Sequence, residues 1–177
     1  MSKTIRVNVL SESSLKKAIN ELQQYEKRVI DKTQAFARRL AMEGVQYART
    51  NIVNMDAVDT SELLNSITSA GNNFHQGAVF FIMATSSHAV FVEFGTGYIG
   101  KDIPYKGVFP DGLGWQYVSG SQVTANALKG IYGWFYVGKD GKVHFTAGME
   151  SRPFMWDTAR ELQANVEKIA KEVFGNG

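Results

Sequence analysis

The side chains best suited to acid–base chemistry in this sequence are His75, His88, His144 and Glu93. No two histidines stand four residues apart, and neither an H-E-x-x-H helix nor a facial-triad spacing occurs. Each histidine lies beside an expected turn or strand, where a hydrogen-bonded surface role is the ordinary one. His88 and Glu93 flank one apolar segment and could meet, and His144 could join them in a small hydrolase site. No G-x-S-x-G elbow supplies a nucleophile for it. Gly95-Thr96-Gly97 and Gly112-Leu113-Gly114 look superficially like phosphate loops. The first lacks the lysine of a P-loop, and neither has G-x-G-x-x-G spacing. With no cysteine, thiol catalysis, disulfides and cysteine-ligated metals are excluded. No catalytic, cofactor-binding or metal-ligating residue is assigned.

Glu93 is the one acid inside Ala89-Val90-Phe91-Val92-Glu93-Phe94. An unpaired buried carboxylate is costly. Glu93 is therefore expected to point outward by alternation, to pair with a basic group such as one on the N-terminal helix, or to contact another subunit.

These residues sit in a chain of 177 residues, 44% hydrophobic and 20% charged, with a net charge of +2. The length suits one domain with a real core, and the apolar content is too high for a disordered chain. No apolar run is long enough to span a membrane, and no apolar h-region follows Met1-Ser2-Lys3, so no secretory signal is expected. The even balance argues against nucleic-acid binding by bulk charge. Along the chain the signs separate. Residues 1–53 hold ten basic and five acidic groups, whereas residues 54–100 hold four acids (Asp56, Asp59, Glu62, Glu93) and no Lys or Arg. Such segregation suits a subunit that docks on copies of itself or on partners.

Ile5, Val7 and Val9 alternate and predict a short strand. Ser11 or Ser13 then caps a helix, whose apolar positions Leu15, Ile19, Leu22, Val29, Thr33, Phe36, Leu40 and Tyr47 form one stripe. At about forty residues this helix would be about 60 Å long, and is expected to break near Gly44 or to project toward a neighbouring subunit. Residues 54–60 read as a polar linker, residues 66–72 as a strand and 72–77 as a turn. Residues 78–84 read as a central strand buried on both faces, in a hairpin with the preceding one. For residues 88–97 periodicity leaves strand and short helix open. Residues 98–130, rich in Gly and aromatics, form a long loop insertion. Ile131–Val137 and Lys142–Ala147 form a hairpin around Asp140-Gly141. A last helix starts at Ser151-Arg152-Pro153 with Ser151 as cap. It keeps Met155, Ala159, Leu162, Val166, Ile169 and Val173 on one face and ends at Gly175. The fold class is α+β: a small, mostly antiparallel sheet with a long N-terminal and a C-terminal helix packed on it, in a single domain spanning 1–177.

The order of four pieces resembles the small tail-component family of long-tailed bacteriophages, the neck or tail-completion proteins of the head–tail connector. They are the long N-terminal helix; Thr60-Ser61-Glu62-Leu63-Leu64-Asn65-Ser66-Ile67, similar to a T-G-x-L-x-x-S-I segment; His88-Ala89-Val90-Phe91-Val92-Glu93-Phe94-Gly95-Thr96, similar to Y-A-x-x-V-E-F-G-T; and Arg152-Pro153-Phe154-Met155-Trp156-Asp157-Thr158-Ala159, similar to an R-P-F helix start. Ser61 stands where the family has glycine, and His88 where it has tyrosine. The loop between Gly97 and Ile131 is longer than the family's. The resemblance covers about residues 12–174.

The resemblance implies a non-enzymatic virion protein, assembled in the host bacterial cytoplasm, that joins the tail to the head connector. It implies a homo-oligomeric ring, expected to be six-fold, whose lumen passes genomic DNA without sequence specificity. Connector or head-closure proteins and a tail-tube or tail-terminator protein would be its partners, with no membrane and no cofactor. Interface candidates are Glu93, Phe94, Gly95, Thr96, Trp115, Tyr117, Trp134, Arg152, Pro153 and Phe154. On this reading Glu93 and Phe94 lie near the sheet edge and Phe154 packs the last helix onto the sheet. Lys16, Lys27, Arg28, Arg38 and Arg39 are candidates for a DNA-proximal lumen. A free-standing nucleic-acid-binding protein using that basic helix is the alternative; no aromatic platform interleaves its cations.

Overall fold

The computed structural model describes residues 4–57, 61–118, 123–126 and 131–175. Its elements run α1 (Glu12–Asn54), α2 (Ser61–Ser66), β1 (Ile67–Phe74), β2 (Gly77–Ala84), α3 (Ala89–Phe94), α4 (Gly97–Asp102), β3 (Val123–Asn126), β4 (Ile131–Val137), β5 (Val143–Thr146), β6 (Gly148–Met149) and α5 (Phe154–Gly175). The fold is α+β, with a long N-terminal helix, small antiparallel sheets and a C-terminal helix. The strands form a two-stranded sheet, β1-β2, and a three-stranded sheet in the order β3-β4-β5. The chain gathers into two compact units. One holds the chain up to Val45, Ser69–Ile82 and the chain from Leu162; the other holds Gln46–Thr68 and Met83–Glu161.

In the first unit the expected strand at Ile5–Val9 does not form. The backbone there is irregular and ends in a turn at Val9-Leu10. Among the described residues no strand pairs with it, and Val7, Val9 and Leu10 are exposed. Its polar groups serve the helix start instead. Asn8 N–H donates to Ser14 Oγ at 2.9 Å, and Ser11 Oγ accepts from Ser14 N–H at 3.4 Å. Ser11 is thus the cap of α1.

Helix α1 runs 43 residues without a break at Gly44. The glycine is there for packing: a β-carbon on it would lie 2.1 Å from Ile82 Cδ1 and 3.0 Å from Leu162 Cδ1. Further along, Phe36 meets Phe174 with ring centroids 5.8 Å apart, and Lys32 Nζ donates to the Phe174 carbonyl at 3.1 Å. Gln34 Nε2 donates to the Phe74 carbonyl at 2.9 Å, and the Arg38 guanidinium lies 6.0 Å from the Phe80 ring centre. Beyond this zone the same apolar stripe continues uncovered: Leu15, Ile19, Leu22 and Val29 are all exposed.

Strand β2 is not the doubly buried central strand that its composition suggests. It lies in a two-stranded hairpin whose turn is only His75-Gln76, and its residues alternate. Val79, Phe81 and Met83 face outward, Phe81 at 60% exposure. A run of apolar residues signals burial only when a second layer is present.

The second unit is built on Ile52, Leu63, Ile67, Phe154 and Thr158, its largest fully buried side chains. Thr158 Oγ1 donates to the Phe154 carbonyl at 2.7 Å and accepts from Asn51 Nδ2 at 3.3 Å, so the hydroxyl is satisfied in the core. Arg49 Nη2 donates to the Ile67 carbonyl at 3.1 Å. Residues 88–97, open between strand and helix, contain α3. The 98–130 segment is not one loop: α4 and β3 interrupt it, while residues 119–122 and 127–130 lie outside the described residues. The hairpin at Asp140-Gly141 forms, with Trp134 opposite Thr146 and Val137 opposite Val143. Of the expected α5 stripe, Ile169 is buried and Met155, Leu162 and Val173 are half-buried, whereas Ala159 and Val166 are exposed and Phe154 and Thr158 are buried instead.

Gly44 provides a test of the close packing in the first unit. Gly44→Leu should lower stability by about 1–3 kcal/mol, because both neighbours must move. In Gly44→Ala a better helix former offsets a small shift of the Ile82 tip, leaving a change within about 1 kcal/mol. Urea denaturation of the three proteins measures both.

Candidate functional site around Glu93

Helix α5 begins immediately after Pro153. The Pro153 carbonyl accepts from Asp157 N–H at 3.0 Å, which makes Pro153 the residue that precedes the first helical turn. A proline there offers no side-chain acceptor for the free N–H groups of that turn. Glu93 supplies it from α3. Met155 N–H donates to Glu93 Oε2 at 2.9 Å and Trp156 N–H donates to Glu93 Oε1 at 3.0 Å. A residue sixty positions upstream thus does what a local Ser or Asp usually does. Ser151, the expected cap, instead donates its hydroxyl to the Glu93 carbonyl at 2.6 Å. Arg152 N–H donates to the Val92 carbonyl at 2.8 Å, completing a three-point clamp between α3 and the start of α5.

Glu93 is 7% exposed, so the outward-pointing expectation is wrong. The pairing with a basic group is not found either: no salt bridge joins Glu93 to any cation among the described residues. Nor do Glu93 and Phe94 lie on a sheet edge, since both belong to α3. Burial pushes the Glu93 carboxyl up to about 7. The two helix N–H groups pull it down, and the nearby charge of Asp157 raises it further.

Phe94 is the hub of an aromatic cluster beside this carboxylate. Its ring lies 4.8 Å from Tyr105, 5.3 Å from Phe109 and 5.3 Å from Trp115. Trp115 also meets Phe91 at 5.8 Å, and Tyr117 Oη accepts from Tyr105 N–H at 2.8 Å. Trp115 and Tyr117, expected as docking residues, are thus half-buried members of their own chain's cluster. Tyr105 and Phe109 belong to the same site, although only their aromatic character signalled burial. Burial, then the Glu93 charge, raise the Tyr105 hydroxyl pKa.

Gly95 and Gly97 have positive φ, 77° and 67°. A β-carbon on Gly95 would lie 2.6 Å from Ser151 N, and one on Gly97 2.3 Å from the Ala147 carbonyl oxygen. Thr96 and Gly97 bridge Met149 and Gly148, and Gly97 N–H donates to the Tyr117 carbonyl at 2.7 Å. The Gly-Thr-Gly segment spends its backbone on packing rather than on a phosphate. Phe154 is 1% exposed, and Arg152 Nη1 donates to the Asp56 carbonyl at 2.9 Å. Phe154 is a core residue of this unit together with Ile52 of α1, Leu63 of α2 and Ile67 of β1. Trp134 is half-buried on β4, away from the Glu93 hydrogen bonds.

The hydrolase constellation is not assembled. His88 Nδ1 hydrogen-bonds Ser86 Oγ at 2.7 Å and stands 3.7 Å from Glu62 Oε1, while His144 Nε2 pairs with Asp140 Oδ1 at 2.9 Å. Glu93 is engaged with α5. Among the described residues no group of three His, Asp or Glu side chains could hold a metal ion. On α1, Lys16 pairs with Glu12 and Arg39 with Glu43, both within the helix, whereas Lys27 and Arg28 are exposed.

Glu93, Phe94, Tyr105 and Trp156, with Val90 and Met155, line an open cavity of ≈ 390 Å³, and Glu93 is the one charged residue in its lining.

The native carboxyl holds its proton to about pH 7, while in the unfolded chain it is lost near the ordinary 4.5. The native state then binds more protons between these values, so the contribution of Glu93 to stability falls as pH rises through that window, by roughly 3 kcal/mol at most. Thermal unfolding from pH 5 to pH 8 should show this fall, and Glu93→Gln, which cannot ionise, should remove most of it. An unchanged slope would mean that Glu93 ionises normally in the native state.

No family model, curated protein or solved structure matches the chain.

Proposed function

We propose that the chain is a structural subunit of a tailed-phage head–tail junction, a neck or tail-completion protein that closes into a ring and joins the tail to the head connector. The observation that carries this reading is the physical union of the two motif segments that carry the resemblance. Val92-Glu93-Phe94-Gly95-Thr96 and Arg152-Pro153-Phe154 lie about sixty residues apart, yet they meet through the Glu93 cap, the Ser151 hydroxyl and the Arg152 amide. Their joint presence thus reflects one structural device rather than two coincidences.

Three uncovered apolar surfaces support the self-associating part of the reading. They are the front of α1 (Leu15, Ile19, Leu22, Val29), the outer face of β2 (Val79, Phe81, Met83) and the β4–β5 hairpin (Tyr136, Val137, Val143). Contiguous exposed apolar area of this kind marks interaction sites. The hairpin β1-β2 carries no Asp, Glu, Lys or Arg of its own from Ile67 to Ala84, and strand edges without charges of their own are prone to pair with another strand. Head-to-tail contacts through unlike surfaces close into rings, and loops completing on docking suit a connector. Connector or head-closure proteins and the tail tube or terminator would flank the ring, with genomic DNA passing through it. In the nucleic-acid alternative α1 would carry the binding, but Glu12, Glu21, Glu26 and Asp31 interleave its front-half cations.

Sedimentation and negative-stain microscopy of the purified chain test this. Closed rings, six-fold by expectation, forming alone or on phage connectors support it. A chain that stays monomeric at high concentration and never joins connectors or particles overturns it.

A further inference from the structure

We propose that the Glu93 cavity is a receptor for a basic side chain of a second copy of this chain, supplied by the Lys27-Arg28 pair on the front of α1. The inference rests on the self-association in the proposed function and names its contact.

The receptor half has the chemistry of a cation site. A carboxylate has about four lone-pair positions, and the two helix N–H groups of Met155 and Trp156 use two of those on Glu93. Glu93 also lines a cavity of ≈ 390 Å³ whose other lining residues include Phe94, Tyr105 and Trp156. Aromatic faces around a carboxylate attract ammonium and guanidinium groups through the ring quadrupole, and more strongly where water is excluded. Within the described residues no cation takes that place. The raised pKa is consistent with a carboxylate that pays for burial without a counter-charge.

The donor half is as distinctive. Lys27 and Arg28 are exposed and join no salt bridge among the described residues, whereas Lys16 and Arg39 are held by Glu12 and Glu43. They are flanked by exposed Leu22, Tyr25 and Val29, which would give the contact an apolar rim. A planar guanidinium both stacks on aromatic rings and pairs with a carboxylate, which favours Arg28 as the inserted group and Lys27 as its neighbour. Cavity and cations lie on different parts of one chain, so each copy offers one of each. The contact is head-to-tail, the kind that closes a ring.

A mixing experiment tests this. Glu93→Gln retains the donor and loses the receptor charge; Lys27→Gln/Arg28→Gln retains the receptor and loses the donor. Each alone should fail to assemble, and an equal mixture should form dimers of two 19.6 kDa chains and nothing larger, read by native mass spectrometry. Because the Lys27/Arg28 changes are on an exposed helix face, that variant tests the contact even if Glu93→Gln is poorly folded by circular dichroism. In a parallel arm, n-propylguanidinium should quench or shift the tryptophan fluorescence of the wild type. Its binding should be at least roughly tenfold weaker in Glu93→Gln, and neutral n-propylurea should have no effect. If the wild type forms rings but the Lys27/Arg28 variant does so equally, or propylguanidinium behaves like propylurea, this contact is wrong while the ring reading stands. If the wild type stays monomeric and joins no connector, the ring reading falls and the second copy falls with it as occupant.

Discussion

The hydrogen bonds from the first turn of α5 to the Glu93 carboxylate tie two segments far apart in the chain into one junction of the second unit. Every helix start has free N–H groups, and Pro153 leaves this one without a local acceptor. Taking the acceptor from α3 fixes where α3 lies, how the chain enters α5 and how closely the two backbones approach. Ser151 and Arg152 reinforce the junction by bonding to the carbonyls of Glu93 and Val92. At Gly95 the approach is so tight that a β-carbon would meet the Ser151 amide. The order of the unit therefore follows from one requirement, that a buried helix end be satisfied.

The same contact explains the surrounding aromatics. A carboxylate used as a cap at the surface would stay solvated and titrate normally. Here Glu93 is buried, and Phe94, the next residue, gathers Tyr105, Phe109 and Trp115 beside it. Two opposing effects result. The helix N–H groups favour the ionised form, and desolvation disfavours it more, leaving the pKa near 7. Capping and proton affinity are thus properties of one arrangement. The segment after α4, which reads in sequence as a long loop insertion, contributes Tyr105 and Pro110 to the cavity that Glu93 lines.

Periodic features were legible in the sequence and convergent ones were not. The spacing from Leu15 to Tyr47 specifies α1, and Asp140-Gly141 specifies the β4–β5 turn, because both depend on local rules. Gly44 misleads, since its reason lies in Ile82 and Leu162, which only tertiary packing brings near. Ile5, Val7 and Val9 alternate like a strand but have no partner strand among the described residues, and Val7 and Val9 are left exposed. For β2, composition correctly indicates a strand but not whether a layer covers it. Glu93 was conspicuous as an acid among apolar residues, and its burial cost was foreseeable. Its partner was not, because the partner is a pair of backbone amides that any residue types at 155 and 156 would provide. Those amides are therefore invisible to a search for cations.

The linear charge pattern also changes meaning in three dimensions. Residues 54–100 carry acids alone, which suggests a negative face to match a basic helix. Glu93 is buried as a helix cap, and Asp59 lies outside the described residues. The described surface acids of that stretch reduce to Asp56 and Glu62, and Glu62 sits beside His88. On α1, meanwhile, Glu12, Glu21, Glu26 and Asp31 nearly balance Lys16, Lys17, Lys27, Arg28 and Lys32 over the front half. Opposing fields are thus weaker than the sequence count implies, and salt screens what remains. In the proposed assembly, association would depend less on long-range attraction than on the exposed apolar faces, with individual charges selecting the register. A desolvated carboxylate in an aromatic-walled cavity suits that selecting role, because a misplaced partner would leave it unpaired while a correct one would neutralise it.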